Sequence, residues 1–272
     1  MGVVGFMKKL FVLFLLLHIS ITGNLFAQDF ESYDVIQGKR FFEKRDYISA
    51  VACFSNALIQ NDNDADAYFF RGITYYTLNK YNDAINDFNR LLRMRNIKAY
   101  QIYDGWMYRS KSYMNLGNYE EAINGFTEII IFTTENIIGA KHYNLTEAIK
   151  LFNETLEEAY YRRGTVFYTM GTSYFNNAEN DFKESLDINP NQFEANHSLG
   201  VMYVQSKRYK EAISPLINAL QIYNNYASTY FNLGIAYYYI GEEENAIKNI
   251  EMAVIIEPNN IRYKGALDIL IN

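Results

Sequence analysis

Residues 227–260 read ASTYFNLGIAYYYIGEEENAIKNIEMAVIIEPNN. Tyr230, Leu233, Gly234 and Tyr237 fall at i, i+3, i+4 and i+7, which places them on one face of a helix. Ala246, Ile250 and Ala253 mark the matching face of a second helix. Glycine inside a helix costs about 1 kcal/mol relative to alanine, so Gly234 needs a compensating reason. Close approach supplies one. With no side chain at Gly234 and only methyls at Ala246 and Ala253, two helix backbones can nestle, and large residues fill the gaps beside the contact. Pro258-Asn259-Asn260 then breaks the chain and suits the start of another helix.

The same pattern recurs along the chain. A small residue stands at Gly38, Gly72, Ser110, Gly164, Gly200 and Gly234, with an aromatic three residues on at Phe41, Tyr75, Tyr113, Phe167, Tyr203 and Tyr237. An alanine follows in every unit (Ala50, Ala84, Ala122, Ala178, Ala212, Ala246). Four residues later comes a large apolar residue (Phe54, Phe88, Phe126, Phe182, Leu216, Ile250). A period near 34 residues means an array of small units and not one globular core. The pattern resembles the tetratricopeptide repeat. That resemblance implies an all-α fold, a right-handed superhelical solenoid of helix–turn–helix repeats.

The units run 31–64, 65–98, 103–136, 157–192, 193–226 and 227–260, with 261–272 as a C-terminal capping helix carrying Leu267, Leu270 and Ile271. Ser110 and Gly164 are too far apart, and the excess falls in 137–156. Leu145, Ala148, Ile149, Phe152 and Leu156 make that stretch an amphipathic helix, read either as a truncated repeat or as a long helix running into the next unit. Pro215 lies inside a second helix, where a kink is expected. Asn118 with Glu121 has the form of a capping box.

Residues 1–27 are of another kind. Lys8 and Lys9 precede an apolar run from Leu10 to Leu17, and the stretch closes at Ala27, the layout of a secretory signal peptide. The expectation is export to a periplasm or cell surface, in a bacterial setting. Without these residues the chain has 23 basic and 31 acidic residues, a formal charge of −8. That balance disfavours nucleic acid or an anionic membrane surface as partner, and the run is too short for a confident membrane span. One cysteine, Cys53, permits no internal disulfide. His142 and His197 lie in different units, no phosphate-binding glycine loop or zinc-protease motif occurs, and no catalytic or metal-ligating constellation emerges. Neither enzyme activity nor a cofactor is expected.

What the resemblance implies is a concave groove lined by the first helices. Its stripe would comprise Val35, Phe69, Met107, Tyr161, His197 and Phe231, followed by Phe42, Tyr76, Met114, Tyr168, Val204 and Tyr238. Asp66, Asp104, Glu158 and Glu194 open four consecutive first helices and would form an acidic edge. The peptide-binding set is therefore Phe69, Tyr76, Met107, Tyr161, Tyr168, His197, Phe231 and Tyr238 with those four acids. A polypeptide partner follows, with glycan or a small amphipathic ligand as the alternative occupant and self-association as a third option. Arg71 and Arg163 stand where a leucine is usual, and each should reach an acid of its second helix, Asp87 and Asp181 respectively.

Overall fold

A computed structural model of the chain describes residues 31–95 and 97–271; the segment 1–27 read as a signal peptide lies outside the described residues. Every regular element among them is helical, and two compact units divide at Ala159/Tyr160. The first unit holds α1 (Tyr33–Glu43), α2 (Tyr47–Gln60), α3 (Ala65–Thr77), α4 (Tyr81–Leu91), α5 (Ala99–Asn115) and α6 (Tyr119–His142). Helix α7 (Thr146–Met170) begins in the first unit and ends in the second. There the chain continues through α8 (Phe175–Ile188), α9 (Phe193–Gln205), α10 (Tyr209–Ile222), α11 (Ala227–Tyr239), α12 (Glu243–Ile256) and α13 (Ile261–Ile271).

Consecutive helices pair as hairpins, and the small residue of each first helix decides how closely. A Cβ at Gly38 would come 2.4 Å from the Phe54 ring, and at Gly72 2.9 Å from that of Phe88. At Gly200 it would meet Leu216 at 2.5 Å, and at Gly234 it would meet Ile250 at 2.5 Å. The large residue therefore sits on the glycine itself, not beside the contact as the spacing suggested. Phe54, Phe88, Phe126, Phe182 and Leu216 are wholly buried in consequence. The third hairpin inverts the arrangement: Ser110 is the small residue, and Gly125 opposite makes room for its hydroxyl.

The turn inside each hairpin carries a second periodic feature. Arg45, Asn79, Gly117, Gly171, Lys207 and Gly241 all have positive φ, and each lies seven residues after its unit's small residue. Glycine and asparagine enter that region readily; Arg45 and Lys207 do so at a steric cost of about 1–2 kcal/mol. After Gly171 a short 3-10 turn, Thr172–Tyr174, takes up the extra residues of the fourth unit.

Helix starts follow side-chain chemistry in part. Ser32, Asp46 and Asp64 each accept a hydrogen bond from the backbone N–H three residues on, at 3.2, 3.1 and 2.9 Å. The capping box expected at Asn118 does not form, since the Asn118 side chain makes no capping bond. A glutamine closes such a bond one helix earlier, where Gln101 Oε1 accepts from the Lys98 N–H at 2.9 Å. Helix α10 runs through Pro215 from Tyr209 to Ile222. In α13, Tyr263, Leu267 and Leu270 pack on Phe231, Ile250 and Ala253, while Ile271, expected on that face, is exposed.

Of the two readings of 137–156, a truncated repeat or a long helix running into the next unit, the second is what forms from Thr146 onward, while 137–142 extends the preceding helix. The stretch is shared between two lengthened helices, α6 of 24 residues and α7 of 25, which meet at a turn over 143–145.

Candidate binding face

Within each unit the first helices contact one another in sequence, α1 with α3, α3 with α5, and α9 with α11. Their shared face is the natural place for a ligand, and the structure separates the predicted stripe into two layers. Val35, Phe69, Met107 and Phe231 are buried and do not floor an open groove. They fill the seams between helices. Phe69 meets Phe70 and Tyr100 edge-on, with centroids at 5.1 and 5.4 Å, and Phe231 packs at 4.7 Å on Tyr263 of α13. The reason is geometric: a residue three before the small one points at the next helix along the stack, so size there serves packing.

Tyr161 and His197 belong partly to that inner layer. Tyr161 is half-buried, tilted against Phe182 at 6.0 Å. His197 lies parallel to Phe193 at 5.8 Å, meets Tyr226 edge-on at 5.1 Å, and its Nδ1 is 2.9 Å from Thr229 Oγ1. Burial drives its pKa down to about 4, so the imidazole is neutral at physiological pH and hydrogen-bonds across α9 and α11.

The layer that reaches solvent lies about two turns further along each helix. Tyr76 is half-buried, edge-on to Tyr81 at 5.6 Å and to Tyr108 at 5.1 Å, with its hydroxyl 3.5 Å from the Asn115 amide nitrogen. Tyr168 stacks on Phe175 at 5.5 Å, and burial raises its phenol pKa. Tyr238 is exposed, edge-on to Tyr239. Phe42, Met114 and Val204 are half-buried.

The acidic edge is half neutralised. Asp66 accepts from Lys98 at 2.7 and 2.9 Å and from the Gln101 amide at 2.8 Å. Glu158 is ion-paired with Lys111 at 2.5 Å. Asp104 and Glu194 remain exposed.

Two lysines are part of this face, though the peptide-binding set chosen from the sequence leaves them out. Lys39 lies 4.1 Å above the Phe70 ring and is ion-paired with Glu31; Lys111 lies 5.2 Å from the Tyr108 ring. The signal was available: both directly follow a unit's small residue, at Gly38 and Ser110, a position that is half-buried on every first helix. A cation over an aromatic face contributes about 0.5–1 kcal/mol and fixes the ring's orientation. Trp106 lies outside the face, its ring edge-on to Phe132 of α6 at 5.0 Å, so it reports on hairpin packing.

The two arginine forks form as read. Arg71 donates to Asp87 at 2.8 and 2.7 Å and to Ser55 Oγ at 3.1 Å, tying α3 to α4 and α2. Arg163 donates to Asp181 at 2.8 Å through both Nε and Nη2. Among the described residues no group of His, Cys, Asp and Glu could hold a metal ion, and no helix is long and apolar enough to cross a membrane.

Sequence models of the tetratricopeptide repeat match residues 37–96, 71–130 and 227–260, and a further one, described as TPR repeat, matches 200–241. The chain carries tetratricopeptide repeats. Solved structures agree in fold. The chain is similar to PilF of Pseudomonas aeruginosa at 15% identity and a TM-score of 0.64, covering 85% of this chain and 94% of that one. It is similar to the assembly chaperone of RpL4, Acl4, at 13% identity and a TM-score of 0.59, covering 88% and 94%. YrrB, described as a TPR protein with an unusual peptide-binding site, matches at 18% identity and a TM-score of 0.56 over 79% of this chain and 97% of its own. At these identities the likeness is one of fold. Arrays of tetratricopeptide repeats are protein–protein interaction scaffolds, and this chain has that architecture.

Proposed function

We propose that this protein is an exported, non-enzymatic scaffold that holds a polypeptide segment against the first-helix face of its repeats. The observation that carries the reading is the outer aromatic layer, above all Tyr76 and Tyr108 in the first unit and Tyr168 in the second. These rings are held in place by neighbours yet are only half-buried. Rigid, amphipathic aromatic rings give large contact area at small entropic cost, which suits recognition of a peptide backbone and its apolar side chains. A peptide-binding repeat array of the same fold, YrrB, lends support by analogy.

A photo-crosslinking phenylalanine analogue placed at Tyr76 or Tyr168 should yield adducts with one polypeptide partner. The same group at Ile59, which is 82% exposed on a second helix, should not. Equal labelling from both faces would refute the assignment. Export rests on Lys8, Lys9, the Leu-rich run and Ala27. Intact-mass measurement of envelope or secreted material should show a chain starting at or near Gln28; a full-length chain in the cytosol would contradict it.

A further inference from the structure

A cavity of about 950 Å³, with no aromatic residue in its lining, opens in the first unit between the end of α2, the start of α3 and the residues Arg93–Arg95 and Ile97–Lys98 between α4 and α5. That volume is at the upper end of the range of ligand sites, roughly 300–1,000 Å³. Its wall carries three carboxylates and three cations: Glu31, Asp64 and Asp66 against Arg93, Arg95 and Lys98. Every carboxylate is already engaged. Glu31 is ion-paired with Lys39, Asp64 caps α3 through the Ala67 N–H at 2.9 Å, and Asp66 is held by Lys98 and Gln101. Lys98 is spent on the same contact. Arg93 and Arg95 are different: both are exposed, and neither guanidinium has a hydrogen-bond or ion-pair partner among the described residues. What the cavity offers a ligand is therefore two guanidinium forks beside an apolar wall of Ala57, Met94 and Ile97.

We propose that this cavity is a second recognition site, which binds an acidic stretch of a polypeptide partner, two carboxylates to Arg93 and Arg95 with an apolar side chain between them. Arginine presents a planar fork that matches a carboxylate in a bidentate way. A protein of net charge −6 repels acidic peptides over most of its surface, so attraction of one points to a local cationic site and not to general electrostatics. The idea rests on the partner being a polypeptide, but not on the aromatic face being where that polypeptide also binds.

The test uses the purified chain and a fluorescent acetyl-Glu-Glu-Leu-Glu-Glu-amide, read by anisotropy, with the Gln-for-Glu peptide as control. The acidic peptide should bind, and its affinity should fall as salt is added. The pair Arg93→Gln and Arg95→Gln should weaken it at least tenfold. Tyr76→Ala with Tyr168→Ala should leave it unchanged, which separates failure of this site from failure of the aromatic face. Arg93→Glu with Arg95→Glu should restore binding to the Lys-substituted peptide, showing that the reversed site is folded. Absence of binding, equal binding of the Gln peptide, or indifference to the double arginine substitution would each overturn the proposal.

Discussion

Replacing Gly72 with alanine tests whether the repeat glycines are contact residues or merely tolerated ones. The added Cβ would lie 2.9 Å from both Cε1 and Cζ of Phe88 and 3.3 Å from Cδ1, where carbon contacts normally settle at about 3.5–4.0 Å. Phe88 cannot easily yield: it is wholly buried and stacked over Tyr108 at 6.0 Å. Overpacking of that order costs about 1–3 kcal/mol, and the better helix propensity of alanine returns about 1 kcal/mol. A net loss near 1 kcal/mol is expected. Phe88→Ala alone should cost about 3–5 kcal/mol. Adding Gly72→Ala to it should then stabilise, by up to about 1 kcal/mol, because all three of the closest atoms belong to the removed ring. The substitution changes sign with its background, a coupling of about 2 kcal/mol. Gly265→Ala in α13 is the reference, since nothing lies within 4 Å of its Cβ position and a gain of up to about 1 kcal/mol is expected. Urea melts followed by far-UV circular dichroism give the totals, and amide exchange in α3 and α4 locates the loss, because a repeat array can fail locally. If Gly72→Ala stabilised as much as Gly265→Ala, the close-approach argument would be wrong.

Glu179 accepts from Lys183 at 2.7 Å, from the Tyr203 hydroxyl at 2.8 Å and from Arg208, whose guanidinium lies 4.3 Å from the Tyr203 ring. The Arg208 hydrogen bonds hold its pKa at about 2, below the usual 4.5. The folded-state value is depressed, so its stabilisation is complete above about pH 4.5 and is lost as pH falls toward 2. Glu179→Gln should cost about 2 kcal/mol at neutral pH and flatten acid unfolding across that window. Asp87→Asn and Asp181→Asn should each cost about 2–3 kcal/mol in urea denaturation, since each removes the charge partner of a guanidinium that is less than one-fifth exposed. Asp83→Asn, exposed on the same helix as Asp87, should change stability by less than about 0.5 kcal/mol. Lys207→Gly should raise the melting temperature, by relief of up to about 1 kcal/mol of backbone strain at φ 60°.

The helical hairpins were legible because the small residue, the alanine and the large residue are all consequences of one contact. The arginine forks were legible for a related reason: Arg71 and Asp87 each sit one residue before members of that contact, Gly72 and Phe88, so their side chains emerge side by side. The left-handed turn position was not, since Asn79, Gly117, Gly171 and Gly241 announce it while Arg45 and Lys207 adopt it against their own preference. The binding face was legible only to the level of the helix. Phe69 and Tyr76 both look like groove aromatics in the sequence, yet Phe69 turns into the seam and Tyr76 remains accessible. Which of the two happens depends on the neighbouring helix, and a single repeat says nothing of its neighbour. The pairing of two acids of the edge, Asp66 and Glu158, was hidden for the same reason, because Lys98 and Lys111 lie 32 and 47 residues from them.

The lengthened hairpin shows how a repeat array absorbs an insertion. Helix α6 spans 24 residues where other second helices span 11 to 14, and α7 spans 25 where other first helices span 11 to 17. Each is longer by roughly ten residues, close to three turns of α-helix. A whole number of turns leaves the buried stripe in phase. In α6 it continues from Ala122 and Phe126 through Ile129, Thr133, Ile137 and Ala140 without a break in spacing. In α7 Phe152 and Leu156 precede Gly164, where a Cβ would again come 3.0 Å from its Phe182 partner. Had the extra residues gone into one helix only, the turn at 143–145 would have been carried along that helix with nothing opposite it. With the residues divided between two helices, both added stretches stay buried in part, and Phe132 of α6 and Phe152 of α7 each pack on Tyr103 of α5 at 5.7 Å. The periodicity therefore resumes at Gly164 with the glycine-under-phenylalanine contact of the first two hairpins, although the period from Ser110 is broken.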